Sequence, residues 1–194
     1  MALKPYHRLE DTVTQTLVAF HQAEPLRRGM PREALRSRTG LLPPAFQSLL
    51  AALQADGVLV EAAAEVALAG HRPELSGVQK DAVTAIRGAL DAEPFSPPLL
   101  DDLRRRFGLT PPLLQHLIDQ GQLVRVSEEV VFSRDAVEQA LTRFRTHLRG
   151  NPSLSVAAAR DLLRSSRRYV LPLLEWLDAQ KITRRVGDDR ILRD

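Results

Sequence analysis

Apolar positions along this chain fall into two alternating periods. Spacings of three and four residues predict an amphipathic helix around Leu9–Phe20, and similar stretches follow at intervals, each giving way to a short β-branched run. One pattern recurs. Leu50, Leu53, Gly57, Leu59 and Val60 return 64 residues later at the same spacing as Leu114, Leu117, Gly121, Leu123 and Val124. A looser copy follows another 60 residues on, as Leu174, Leu177, Lys181, Ile182 and Thr183, with lysine where the others have glycine. In each copy the leucines at i and i+3 share one helix face, the glycine supplies the left-handed residue that ends that helix, and the β-branched run opens a strand. The chain therefore reads as a tandem array of three related units.

The flanking segments complete each unit in the order α-α-α-β-β. The first adds a short helix from Pro31, a third helix over about 45–55, and strands near Val58–Glu61 and Glu65–Leu68. The second is predicted as helices Gly77–Leu90, Pro98–Phe107 and Pro111–Gln120, then strands Leu123–Ser127 and Val130–Phe132 around a Glu128-Glu129 turn. The third has helices Ala136–Leu148, Val156–Leu163 and about Arg167–Ala179, closed by the hairpin Ile182–Val186 with Arg190–Leu192. Pro111, Pro112 and Pro172 fit if they occupy first helical turns, where a missing N–H matters least. Three helices closed by a β-hairpin describe a winged helix, so the fold class is mainly α with small β-hairpins (α+β). Three winged-helix domains are expected over 1–72, 73–135 and 136–194, joined near Gly70–Pro73 and Phe132–Asp135, where Ser133 caps the next helix. Joints this short predict a semi-rigid rod, with contacts between neighbouring units of roughly 60 residues, close to the lower limit of independent stability.

Composition narrows the function. With 44% apolar and 26% charged residues the chain is ordinary for a globular protein. It has no apolar run of membrane-spanning length and no signal-peptide core at its start, so a cytoplasmic protein is expected. The absence of cysteine excludes disulfides, thiolate catalysis and cysteine zinc sites. No phosphate-binding glycine loop, serine elbow, paired catalytic carboxylates or metal-ligand spacing occurs, so a binding module rather than an enzyme is expected, with no metal site. Charge separates the units. Residues 1–72 carry 8 basic and 7 acidic side chains, 73–135 carry 7 and 10, and 136–194 carry 12 and 7. A polyanion is attracted to the last unit and mildly repelled by the middle one.

Within that last unit, Arg164, Arg167, Arg168, Tyr169, Arg184, Arg185 and Arg190 come from the start of the third helix and from both sides of the wing. A winged helix brings those places onto one surface, and the amides at Ser166–Arg168 add a helix N-terminus suited to phosphate, with Ser165 or Ser166 as cap. Asp161, Asp188 and Asp189 either orient the arginines or, at Asp188, accept from a base edge; otherwise 186–189 is an ordinary hairpin turn. Elsewhere structural roles are expected. Arg104, Arg105 and Arg106 follow Asp101 and Asp102 by one turn and read as a solvated, ion-paired face. The basic stretch 27–32 reads as a loop and helix start, and Phe144 and Trp176 read as core.

Several segments carry a resemblance. Leu3-Lys-Pro-Tyr-His-Arg8, then the run from His21 through Arg27-Arg-Gly-Met-Pro-Arg32 to Arg38, Pro94-Phe-Ser-Pro-Pro98, and finally the arginine, serine and tyrosine cluster with Thr183-Arg-Arg-Val-Gly-Asp188, resemble the C-terminal region of bacterial selenocysteine-specific translation elongation factors. The resemblance covers nearly the whole chain and implies the last three of that family's four winged helices, without the N-terminal GTPase. It implies that the final unit grips the mRNA selenocysteine insertion hairpin beyond a UGA codon through Arg164, Ser166, Arg167, Arg168, Tyr169, Arg184, Arg185, Asp188 and Arg190. GTP, magnesium and selenocysteyl-tRNA belong, by the same resemblance, to the absent GTPase part; the ribosome is a further partner, and a monomer is expected. The family pattern has lysine at 168, threonine at 165 and glycine at 181. Arg168 and Ser165 keep the chemistry, whereas Lys181 removes a helix-ending glycine at the wing's entry.

The implied mechanism is tethering: a hairpin held beside the ribosome raises the effective concentration of the attached GTPase at its codon. The alternative is a tandem winged-helix DNA-binding regulator or a protein-interaction scaffold. A DNA reader places polar residues along its third helix. Here that helix continues Val170-Leu-Pro-Leu-Leu-Glu-Trp176, apolar beyond its first turn, which favours RNA read at the helix start and wing.

Overall fold

The computed structural model describes residues 3–193, with side chains from His7 onward. Met1, Ala2 and Asp194, the ends of the expected domain spans, lie outside the described residues. The chain divides after Ser76 into two compact units.

The first unit runs α1 (Leu3–Ala23), β1 (Met30–Pro31), α2 (Arg32–Thr39), α3 (Pro43–Ala55), β2 (Leu59–Ala62) and β3 (Glu65–Leu68). The apolar faces of the helices meet over a core of Val13, Leu17, Leu35, Phe46, Leu50, Leu53, Leu59 and Val66, each at most 1% exposed. The strand β1, which the pattern did not predict, pairs Met30 with Val66 and makes the sheet order β1-β3-β2. Gly29 permits this approach, because a Cβ there would lie 2.8 Å from the Val66 carbonyl oxygen.

The second unit holds two further sets of three helices and a hairpin. The first set is α4 (Gly77–Ala92), α5 (Leu100–Phe107), α6 (Pro111–Asp119), β4 (Leu123–Arg125) and β5 (Val131–Ser133); the second is α7 (Arg134–Gly150), α8 (Val156–Leu163), α9 (Arg167–Ala179), β6 (Thr183–Val186) and β7 (Asp189–Leu192). The expected α-α-α-β-β plan is present in all three sets. Ser133 caps α7 by accepting from the Ala136 amide at 3.2 Å. Other boundaries shift. Helix α5 begins at Leu100 rather than Pro98, and the Leu100 amide instead donates to the Glu129 carbonyl at 2.8 Å. Pro111 sits in the first turn of α6 as expected, but Pro172 lies inside α9, five residues past its start. It therefore supplies no N–H to the Arg168 carbonyl one turn earlier.

Contact between neighbours goes beyond short joints. Phe95, Val124, Val130 and Phe132 of one set share a single core with Phe144, Leu154, Leu163, Val170, Leu173, Leu174 and Leu177 of the next. Arg143 of α7 stacks its guanidinium 4.5 Å from the Phe95 ring centroid. Phe144 is fully buried and Trp176 packs at the edge of the same core, as their helical spacing predicts.

Candidate nucleic-acid interface

Two exposed cationic clusters form in the last set of elements. The first begins where α8 ends. Arg164 takes the left-handed conformation there (φ 51°), which is uncommon for a residue with a side chain, and turns the chain sharply with its own side chain outward. Ser165 does not cap α9; its hydroxyl donates to the Phe95 carbonyl and lies 3.1 Å from the Ser96 hydroxyl. Ser166 is the N-cap residue but its side chain makes no capping bond. The helix start therefore has amides at Arg167 and Arg168 with no intrahelical acceptor, beside two exposed guanidinium groups. Tyr169 is half-buried and packs against the core.

The wing holds the second cluster. Arg184 and Arg185 are exposed on β6, and the tip is Val186-Gly187-Asp188, with Gly187 at φ 62° as a two-residue hairpin turn requires. Arg185 folds back onto its own turn, donating to the Gly187 carbonyl at 2.7 Å and pairing with Asp188 at 3.0 Å. Asp188 thus orients an arginine, one of the two roles expected for it, and its side chain is 99% exposed. Arg164, Arg167 and Arg184 make no ion pair or side-chain hydrogen bond with another described residue. The wing root lies one helix length from the start of α9, about 20 Å at 1.5 Å per residue.

Arg190 corrects the expected set. It is 2% exposed, and its guanidinium points inward to Asp178 at 3.3 Å. Its backbone also bridges Leu154 in both directions, at 2.8 and 2.9 Å, which fixes β7 against the segment before α8. Arg185 and Arg190 face one another across the hairpin, yet their side chains part: Arg190 turns in to Asp178 at the end of α9, whereas Arg185 bends back onto the turn. Arg190 cannot meet a ligand without leaving that network.

Lys181 does not change the wing's entry. It takes φ 60°, against 70° for Gly57 and 69° for Gly121 at the matching positions, so the same turn is kept at the cost of a side chain in left-handed space. The basic runs elsewhere are structural, as expected. Arg104 pairs with Asp101 at 3.0 Å and Arg105 with Asp102 at 2.8 Å, while Arg27 and Arg32 pair with Glu65 and Glu61. Sequence reasoning missed the neighbour's share of this surface. Arg168 pairs with Glu129 at 2.8 Å, which further favours its charged form, and a cleft beside it is lined by Ser96, Pro98, Leu99, Arg106 and Tyr169. No periodicity signals such a contact between residues 39 apart.

A family model described as elongation factor SelB, winged helix, matches residues 146–192, and a second of the same description matches residues 14–68. The chain belongs to the SelB family. It is similar to the selenocysteine-specific elongation factor of Desulfomicrobium baculatum, at 29% identity over 90% of the chain and 28% of that protein. Two solved structures share the fold. The crystal structure of a bacterial selenocysteine-specific elongation factor EF-Sec superposes with a TM-score of 0.60 at 17% identity, over 99% of the chain and 30% of that protein. The mRNA-binding domain of SelB from E. coli, solved in complex with SECIS RNA, superposes with a TM-score of 0.51 at 23% identity, over 62% of the chain and all of that domain. The chain thus spans under a third of the length of the full factors it resembles. Among the described residues, no helix is long and apolar enough to cross a membrane.

Proposed function

We propose that this chain is the mRNA-hairpin-binding part of a selenocysteine-specific elongation factor, and that its last winged helix holds a SECIS hairpin. The observation that carries this is the exposed, uncompensated set Arg164, Arg167 and Arg184, joined by Arg168 and Arg185, on the module matched by the SelB family model. Cations left without carboxylate partners at an uncapped helix start and on a wing suit phosphates on two sides of a stem. Ser166, Tyr169 and Asp188 lie between and beside them, where loop or bulged bases would be met. Helix α9 argues against a DNA reader. Beyond its first turn it buries Val170, Leu173, Leu174 and Leu177, leaving no polar face to lie along a major groove.

By the same reading the chain tethers a tRNA-loaded GTPase at UGA codons, with the earlier modules setting the reach to the ribosome. GTP, magnesium and selenocysteyl-tRNA would be handled by that GTPase. A titration with SECIS hairpin RNA, the same stem with a scrambled loop, and matched duplex DNA tests the proposal. Preference for the intact hairpin is expected at every salt concentration, on top of a common salt-dependent phosphate contribution. Equal affinity for all three would leave only nonspecific polyanion binding and would overturn it.

A further inference from the structure

The turn that ends the third helix of each module aligns all three copies. The residues in left-handed conformation are Gly57, Gly121 and Lys181, and each donates its amide to the carbonyl three residues earlier, on Gln54, Ile118 and Asp178. Two residues after that turn the first wing strand opens with Leu59, Leu123 and Thr183. Facing the strand residue two further on stand Val66, Val131 and Arg190. In the last module these three positions meet under the wing. In the second module they are Ile118, Leu123 and Val131, wholly apolar, and in the first Leu59 and Val66 are buried while Gln54 is exposed. The last module alone has Asp178, Thr183 and Arg190. Thr183 and Arg190 are 1% and 2% exposed; the Thr183 hydroxyl donates to one Asp178 oxygen at 2.6 Å and Arg190 Nε to the other at 3.3 Å.

A buried ion pair is a poor way to stabilise such a junction, since desolvating both charges offsets most of their attraction and apolar replacements are often neutral or better. The two sister modules show that this backbone closes over leucine and valine. What the polar set adds is direction: one carboxylate binds both wing strands to the end of α9, with bonds that tolerate little rotation, whereas apolar side chains slide. We infer that Asp178, Thr183 and Arg190 are positioning residues for RNA recognition, fixing the angle at which the wing presents Arg184 and Arg185 relative to the start of α9. Asp189 adds to the same end, accepting from Ser153 at 2.5 Å. This inference rests on the RNA-binding reading above, and it removes Arg190 from the contact set in favour of a role beneath it.

The test transplants the second module's solution into the last, in the full chain, as Asp178→Ile with Thr183→Leu and Arg190→Val. The expected protein is folded and at least as heat-stable as the parent, yet its preference for a SECIS hairpin over the loop-scrambled stem falls tenfold or more, with an unchanged salt slope because no phosphate contact is deleted. Undiminished preference would overturn the inference. Amide hydrogen exchange supplies a readout that needs no RNA: exchange at residues 184–189 should accelerate at least tenfold while the amides of Leu173–Leu177 stay protected. Unchanged wing protection would sink the positioning role even if the parent protein proved to bind no hairpin, so this failure and that of the RNA reading are separable. If the triple variant does not fold, Thr183→Val, which deletes one hydroxyl at nearly constant volume, carries the test, with a smaller loss of preference and faster wing exchange expected together; neither changing would overturn the inference.

Discussion

At the start of its third helix the second module carries Thr110, Pro111 and Pro112, where the last module carries Ser166, Arg167 and Arg168. Thr110 satisfies its helix with a side-chain cap on the Leu113 amide, and the prolines have no N–H to offer; Ser166 makes no side-chain cap and the arginines keep their amides. The hairpins differ in the same sense. One turns through Ser127, Glu128 and Glu129, the other presents Arg184 and Arg185 before Gly187. Two modules with one backbone plan and a shared core thus differ at the two places where a winged helix meets a ligand. Fold alone does not assign function; the chemistry at the helix start and wing does.

The comparison breaks most visibly at the arginines. Arg184→Ala with Arg185→Ala should weaken hairpin binding by about 3 kcal/mol or more, at ~1.5–3 kcal/mol for each charge-assisted hydrogen bond to the RNA. Arg104→Ala with Arg105→Ala removes the same charge from the other module and should change little, because those groups already pair with Asp101 and Asp102 in water. Filter-binding or fluorescence titration at several salt concentrations compares the pairs. Equal weakening by the two pairs would mean that only net charge is sensed.

Acid should separate the first unit from the last module nearly as strongly. His21 is 8% exposed, stacks on His71 at 3.5 Å between ring centroids, and accepts the Leu68 amide on Nε2, while Nδ1 has no partner. Burial, and then the neighbouring His71, lower its pKa from 6.5 to about 4. His71 in turn meets the Arg27 carbonyl, and Arg27 lies over Phe20 and pairs with Glu65. The unfolded chain therefore binds a proton near pH 6.5 that the folded unit refuses until about pH 4. The stabilisation is complete above 6.5 and is lost as pH falls toward 4, by about 3 kcal/mol in all. Denaturation of the first unit followed from about pH 7 to about pH 4.5, with His21→Gln as the control that flattens the curve, measures it. Hairpin affinity should survive that range if the contacts lie in the last module.

Much of this was legible in the chain. The leucine and glycine spacing located every third helix and its strand, because burial imposes the periods of helix and sheet directly on composition. The exposed cations at 164, 167 and 184 were legible because they cluster at a helix start and on a wing strand, places that the winged-helix plan leaves at the surface. Arg190 was not, since its partner Asp178 sits across a hairpin and a helix end, and a lone charge in a strand reads as surface until its pleat is known. The bonds from Ser165 to Phe95 and from Arg168 to Glu129 were hidden for the same cause, pairing residues 70 and 39 apart in the chain.

Those hidden contacts change where the chain can be cut. Severing it at 135 would strip Phe95, Val124 and Phe132 from the core they share with Leu163 and Val170, so the last module alone should fold poorly. Residues 77–194, by contrast, keep that core whole. Their hairpin affinity should stay within a factor of ten of the full chain's, about 1.4 kcal/mol. A larger drop from a folded 77–194 fragment would place RNA contacts in the first unit and would undo the charge argument.

The smallest effect tests the turn itself. Lys181 holds a left-handed conformation that Gly57 and Gly121 adopt in the sister modules, and a side chain there costs roughly 1 kcal/mol against glycine. Lys181→Gly relieves that strain but adds freedom to the unfolded chain, which offsets about 0.4–1 kcal/mol of it, so a small net gain of up to about 0.6 kcal/mol is expected in denaturant unfolding of the second unit. The lysine is exposed at the root of the wing, two residues before Thr183. If the variant gains stability and keeps its hairpin affinity, Lys181 is a tolerated departure from glycine and the wing is fixed by Asp178, Thr183 and Arg190. If it gains stability but loses affinity and the salt slope falls by about one, the ammonium is itself a phosphate contact, and the strain is retained in exchange for a charge on the binding face.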